Sequence, residues 1–277
     1  MTDKTIRVAI LGCGPAGLFA AHAAAGLGAQ IDILSKPRKS FMRGAQYLHQ
    51  PIPGLSRDPF QIDYRLEGTT GGYRDKVYGE DSSVDVSPES LVGTHDAWDI
   101  REAYDAAWDR YKSDITPWHL GDKGLTQYGA LGFPRTDYDL ILSTVPAKLL
   151  CNTQGYWNYD DRCEFNSEKV WSTNFVKRFG AFSGEDDNIV VCSGEPDDWW
   201  YRASRIHGWE NTEYPHSHRP SGDNVWEVEK PIDNNCYCNP AVVRLGRYGT
   251  WTKGILAHEA FYKAEEAVLQ TMERIHS

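Results

Sequence analysis

Residues 6–35 read IRVAILGCGPAGLFAAHAAAGLGAQIDILS, and the order of residue types in this stretch decides the fold. Residues 6–11 are β-branched and apolar apart from Arg7, the composition of a buried parallel strand. A glycine-rich turn follows at 12–17. An alanine-rich helix is expected from Pro15 to Leu27, with Gly28 ending it, and a second short strand covers 31–34. Gly12, Gly14 and Gly17 stand at the spacing of a dinucleotide fingerprint. The first glycine permits the tight turn, the second lets backbone approach a diphosphate, and the third lets helix and strand pack closely. Backbone N–H groups around Pro15 and Ala16, at the positive end of the helix dipole, then face the phosphates. A strand, this turn and a helix in succession predict a nucleotide-binding βαβ unit.

The rest of the chain is organised around that unit. Residues 51–90 are rich in Gly, Pro, Asp and Ser, and Gly71-Gly72 reads as a turn. A helix is expected over 97–111, capped by Asp96, with Ile100, Ala103, Tyr104, Ala107, Trp108 and Tyr111 on one face. DLILSTV at 139–145 is a second buried strand, ended by Pro146. Short strands are expected at 188–193, 201–207 and 225–229, then at 241–245. A last helix is expected over 254–275, with Ala257, Ala260, Phe261, Ala264, Val268 and Ile275 on its apolar face. Nucleotide-type elements at both ends and near residue 140 enclose β-rich material. The expected fold is therefore α/β: a Rossmann-like domain with a parallel sheet from 1–50, 137–150 and 241–277. It is interleaved with a small β-rich α+β substrate layer from 51–136 and 151–240.

Composition narrows the function. The chain has 277 residues, 40% of them hydrophobic and 25% charged, enough apolar material for a core. Its 39 acids and 29 bases leave a net charge of −10, which argues against a nucleic-acid binder that works by clustered cations. Ten Trp, 15 Tyr and 9 Phe suit either a large core or a surface that stacks on planar ligands. No apolar run is long enough to span a membrane. Cys13, Cys151, Cys163, Cys192, Cys236 and Cys238 form no disulfide framework, so a cytoplasmic protein with free thiols is expected. His216-x-His218 and Cys236-x-Cys238 raise the question of zinc. Paired cysteine ligands are usually separated by about two to four residues, so C-x-C is tight, and no metal site is read here.

At the end of the second strand, where an acid commonly holds the ribose hydroxyls, stands Ser35, followed by Lys36, Arg38 and Lys39. Two readings remain open from spacing alone. The cations meet a 2′-phosphate, hence NADP, or Ser35 makes the ribose contact while the cations face solvent.

Four segments together resemble the flavoproteins with two dinucleotide-binding domains, especially the branch of amine oxidases and UDP-galactopyranose mutase. They are GCGPAGLFAA (12–21), RGAQYLHQPI (43–52), YDLILSTVP (138–146) and LGRYGTWTKGILAHEAF (245–261). The resemblance implies bound FAD. It places Arg43, Gly44, Ala45 and Gln46 along the phosphates and ribityl chain, and Gly246 and Arg247 in a turn leading to a helix start beneath the flavin. Backbone amides near Gly254, Ile255 and Leu256 would then face the flavin pyrimidine edge. YRASRIHGWENTEYP (201–215) is similar to a mutase segment with an Arg-Ile pair before Glu-Tyr-Pro. The chain is shorter than most members, so its substrate layer is reduced.

If FAD is bound, redox chemistry is the cofactor's and the protein supplies orientation and electrostatics. Arg202 and Arg205 are candidates to clamp an anionic substrate, or else form surface ion pairs; three apart on a strand, they fall on opposite faces. Tyr214 and Trp251 either line the site or pack in the core, and His49 is an acid–base candidate or a structural histidine. The leading expectation is an FAD-dependent oxidoreductase acting on a small polar or amine-bearing substrate. The alternatives are a mutase-like flavin isomerase on a nucleotide sugar, an NADP-dependent reductase, and a protein that keeps FAD as a structural element.

Overall fold

The structure is a computed structural model that describes residues 5–40, 42–44, 46–80, 84–118, 137–151, 163–174 and 187–277. Strand β1 (Arg7–Leu11), helix α1 (Pro15–Gly26) and strand β2 (Gln30–Ser35) form the βαβ unit expected from the opening sequence. Helix α1 ends in a Schellman arrangement. Gly28 takes φ +81°, its N–H donates to the Ala25 carbonyl, and the Ala29 N–H donates to the Ala24 carbonyl.

The polar stretch after residue 51 is more ordered than its composition suggests. It forms β3 (Phe60–Glu67) and α2 (Thr70–Tyr78). The Gly71-Gly72 pair therefore lies inside a helix, not a turn. A Cβ on Gly72 would meet the Gly194 carbonyl oxygen at 2.2 Å, and one on Gly194 would meet the Thr69 carbonyl at 1.9 Å. These glycines serve close helix–strand approach.

Next come β4 (Gly93–Ala97), α3 (Ile100–Tyr111) and β5 (Ile115–Pro117). Asp99, not Asp96, caps α3, its carboxylate accepting from the Arg101 N–H at 2.7 Å and the Glu102 N–H at 3.3 Å. Asp96 lies in β4, opposite Gln61 of β3. After β6 (Leu140–Ser143) the chain adds β7 (Phe165–Thr173), β8 (Ile189–Ser193), β9 (Arg202–Ile206), β10 (Trp209–Pro215) and β11 (Val225–Asn234). It closes with β12 (Val242–Arg244), α4 (Gly246–Thr250) and α5 (Glu259–His276). The last helix starts later than residue 254 because Gly254 takes φ +81°, and the Glu259 carboxylate then accepts from the Leu256 N–H at 3.0 Å.

Two sheets result. Five parallel strands run in the order β12-β6-β1-β2-β5, and seven mostly antiparallel strands run β11-β7-β10-β9-β8-β3-β4. Helix α1 packs against α3 and α5, its alanines allowing close approach, and Leu18, Phe19, Tyr104, Phe261 and Ala264 fill the space beside Val8, Ile10 and Ile33. Both α3 and β5 thus serve the parallel layer, although they lie in the stretch assigned above to the substrate layer. No helix among the described residues is long and apolar enough to cross a membrane.

Candidate functional site

The glycine turn shows why each glycine is there. Gly12 takes φ +102°, and a Cβ on it would meet Thr144 Oγ1 at 2.6 Å. A Cβ on Gly17 would meet the Gly12 carbonyl oxygen at 2.1 Å, so only glycine lets α1 start this close to β1. Gly14 is different: a Cβ there would find only Ser40 Oγ, at 3.7 Å. The second glycine faces room, as a turn that admits a diphosphate requires. Pro15 opens α1, no side chain caps it and no acid sits in its first turn, so its positive end is left for an anion. Ser35 ends β2 beside this turn, and its carbonyl accepts from the Trp118 N–H. Lys36 is exposed, its carbonyl taking the Cys13 thiol; the neighbouring Lys39 pairs with Asp105 at 2.6 Å. Gly246 also approaches the start of α1, a Cβ on it lying 3.0 Å from Ala16 Cβ. These residues fit the diphosphate part of a dinucleotide.

A second group lies between the layers. Leu48 pairs with Trp98 through backbone hydrogen bonds of 2.8 and 3.0 Å and buries its side chain in the core of the parallel layer. Alternation along this extended segment turns Tyr47 and His49 the other way. The His49 ring lies 4.9 Å from that of Tyr47 and 6.3 Å from that of His258, and Tyr64 of β3 stands edge-on to Tyr47 and His95. Solvent reaches His49, yet packing around it lowers its pKa to about 4, assisted by His258, Arg202 and His95. At neutral pH it is an uncharged imidazole. His258 is only 5% exposed, and its Nδ1 has no hydrogen-bond partner among the described residues. Such an orphaned atom beside a solvent-reached imidazole suits a bound polar group.

Arg202 supplies the positive charge of this region. It faces Cys192 on one side and Glu213 on the other across the β8-β9-β10 ladder; burial lowers its pKa most, but Glu213 together with Tyr64, Tyr73 and Cys192 offsets this, so the guanidinium is held above its ordinary value. Burial alone would lift the Glu213 carboxyl, but Lys230 and Arg202 hold it down at about 2. Lys230 Nζ bonds Glu213 Oε1 at 2.8 Å and the Tyr201 hydroxyl at 2.8 Å.

The other expected residues are dispersed. Arg205 falls on the opposite face from Arg202 and pairs with Glu210 at 2.6 Å, an intralayer ion pair. Tyr214, next to Glu213 on the strand, also points to that face and packs with Ile189, Val191, Trp200 and Ala203, so it does not join His49. Trp251 is buried, its indole N–H donating to the Asn166 carbonyl at 3.0 Å, edge-on to Phe165. Both aromatics serve packing. Arg43 lies over the Trp226 ring, Gly44 takes φ +74° against Asn211, and Gln46 Nε2 donates to the Arg43 carbonyl. Ala45 lies outside the described residues. Arg247, in α4, has a buried Nε without a partner among the described residues. Gly254 is exposed, Ile255 half-buried, and the Leu256 amide is taken by Glu259.

His216 stacks on Trp171 and bonds Glu227, and His218 bonds Ser217. Neither joins Cys236 and Cys238, which lie instead with Cys151 and Cys163. His258, Tyr64, Tyr47 and His95 were not singled out from sequence. Alternation of Phe60, Ile62, Tyr64 and Leu66 is the signal that would have revealed β3.

No family model matches the chain, and no curated protein matches it. Solved structures do. Reduced UDP-galactopyranose mutase aligns with TM-score 0.56 and 14% identity, over 99% of this chain and 95% of that one. A mutant of 2-methyl-3-hydroxypyridine-5-carboxylic acid oxygenase aligns with TM-score 0.54 and 15% identity, over 98% and 86%. A flavoprotein/dehydrogenase from Cytophaga hutchinsonii aligns with TM-score 0.55 and 13% identity, over 99% and 79%. The chain shares the α/β fold of these proteins, parallel sheet included.

Proposed function

We propose that the chain is a flavin-dependent enzyme that binds FAD, and that it acts as an oxidoreductase on a small polar or amine-bearing molecule. The observation that carries this reading is the open second glycine before an uncapped helix, in a chain whose fold is shared end to end with proteins named as a flavoprotein, an oxygenase and a mutase. FAD, when bound, supplies the hydride or electron transfer. The start of α1 binds the diphosphate, Ser35 takes the ribose hydroxyls, and Gly44 keeps backbone close along the cofactor. Neutral His49 accepts or returns a proton at the layer interface, next to His258, whose Nδ1 has no partner among the described residues. Arg202 attracts the anionic part of a substrate, its charge moderated by Glu213.

A second reading, an isomerase acting on a nucleotide sugar, is favoured by the alignment with the mutase over 95% of that chain. Anaerobic mixing separates the two. An oxidoreductase substrate bleaches the flavin absorbance stoichiometrically. An isomerase turns over only after prior reduction with dithionite and leaves the absorbance unchanged across turnover.

A further inference from the structure

We infer that Cys151, Cys163, Cys236 and Cys238 form a closed, structural zinc site, independent of the flavin reading. Their four sulfur atoms all lie within 4.8 Å of one another, with Cys151–Cys238 at 3.9 Å and Cys163–Cys238 at 3.8 Å. A tetrahedral zinc with metal–sulfur bonds of ~2.3 Å has sulfur–sulfur edges of about 3.8 Å. Disulfides would join the sulfurs two by two, whereas here each approaches the other three. Thiols donate weakly, so hydrogen bonding between them gives little reason to gather four from three separate segments.

The backbone explains the convergence. Cys151 follows the short 3-10 turn Ala147–Leu149 that comes after β6. Cys163 and Cys236 flank the end of the β7–β11 ladder, where Phe165 pairs with Asn234. Two further bonds extend that ladder toward the cysteines: the Asn235 N–H donates to the Glu164 carbonyl, and the Glu164 N–H donates to Asn235 Oδ1 at 2.7 Å. The segment from 236 to 238 carries neither helix nor strand, and its side chains alternate. Tyr237 is 88% exposed while the two cysteines turn to the cluster, which makes the tight C-x-C spacing usable. Asn239 Nδ2 donates to the Leu150 carbonyl at 2.7 Å, tying this loop to the Cys151 turn.

Charge is also provided for. Four thiolates around Zn²⁺ carry a net charge of −2, and Arg244 lies against them. Its Nη2 is 3.4 Å from Cys236 Sγ and 2.8 Å from the Cys238 carbonyl, and its Nη1 donates to the Cys236 carbonyl. With four protein sulfurs there is no open position for water or substrate, so the ion is structural. It joins the turn after β6 of the parallel layer to the far edge of the seven-stranded sheet.

Elemental analysis of the purified full chain tests this directly. About one zinc per chain is expected, whether or not flavin is present. Cys238→Ser should lose it and melt at lower temperature, whereas Cys192→Ser, buried in β8 away from the cluster, should keep it. Should Cys238→Ser fail to fold, alkylation of the native wild-type chain decides. Peptide mapping is expected to find all four cluster cysteines protected until a strong chelator is added. Zinc-free wild-type protein, iron in place of zinc, a mass deficit from disulfides, or full zinc in Cys238→Ser would each overturn the assignment.

Discussion

Between Tyr47, His258 and Arg202, His49 is kept uncharged at neutral pH. In the unfolded chain an imidazole titrates near ~6.5. As pH falls from there to about 4, the unfolded chain binds a proton that the folded site refuses, so stability declines across that window; above it, the group contributes nothing. Ring-proton NMR of His49 should give a midpoint close to 4, and a midpoint at the ordinary value would contradict the packing described around it. The glycines make a sharper contrast at this scale. Gly17→Ala puts a methyl against a backbone carbonyl and should damage both the fold and cofactor retention. Gly14→Ala meets nothing closer than 3.7 Å. It should leave thermal stability nearly unchanged while weakening flavin retention at least tenfold, as read by equilibrium dialysis. Gly12 and Gly17 are legible in the sequence because a positive φ and a close backbone approach each exclude a side chain there, and Gly14 by its spacing between them. His258 is not, because its importance arises from a partner far away in the chain.

At the level of elements, caps and ladders decide the outcome. Asp96 and Asp99 are both plausible caps by residue type, and the structure chooses Asp99 because β4 and its pairing with β3 consume Asp96. Asp99→Ala should cost about 1 kcal/mol in urea unfolding, and Asp96→Ala much less. Strand alternation alone separates Arg202 from Arg205, but it does not say which side chains surround each. The structure sets Arg202 opposite Glu213, whose carboxylate also takes Lys230. Removing the carboxylate leaves two cations close together in a poorly solvated place. Glu213→Gln should therefore lose about 3–5 kcal/mol at neutral pH, and a loss below about 1 kcal/mol would contradict the coupling. In wild type, the depressed Glu213 carboxyl gives stability that is present above the ordinary carboxylate range and is lost as pH falls toward 2.

For the whole molecule, one thirty-residue stretch announced the parallel sheet, because strand, glycine turn and helix carry their pattern locally. The second sheet was legible only as scattered β-rich segments. Its strands pair across long gaps, β3 with β8 for example, and its polar face lacks a continuous apolar period. β3 and α2 are hidden among residues that read as loop, and α3 and β5 join the parallel layer although their neighbours in sequence are β-rich. The cysteine cluster was hidden too, since Cys151 and Cys163 come to Cys236 and Cys238 only through the fold. The central claim is that the glycine turn holds the diphosphate of FAD. Denaturing the purified chain and identifying the released nucleotide by mass spectrometry tests it most directly. The account predicts about one FAD per chain from wild type and little from an equally stable Gly14→Ala. A colourless chain that retains only NADPH, or a Gly14→Ala variant with full FAD, would contradict it.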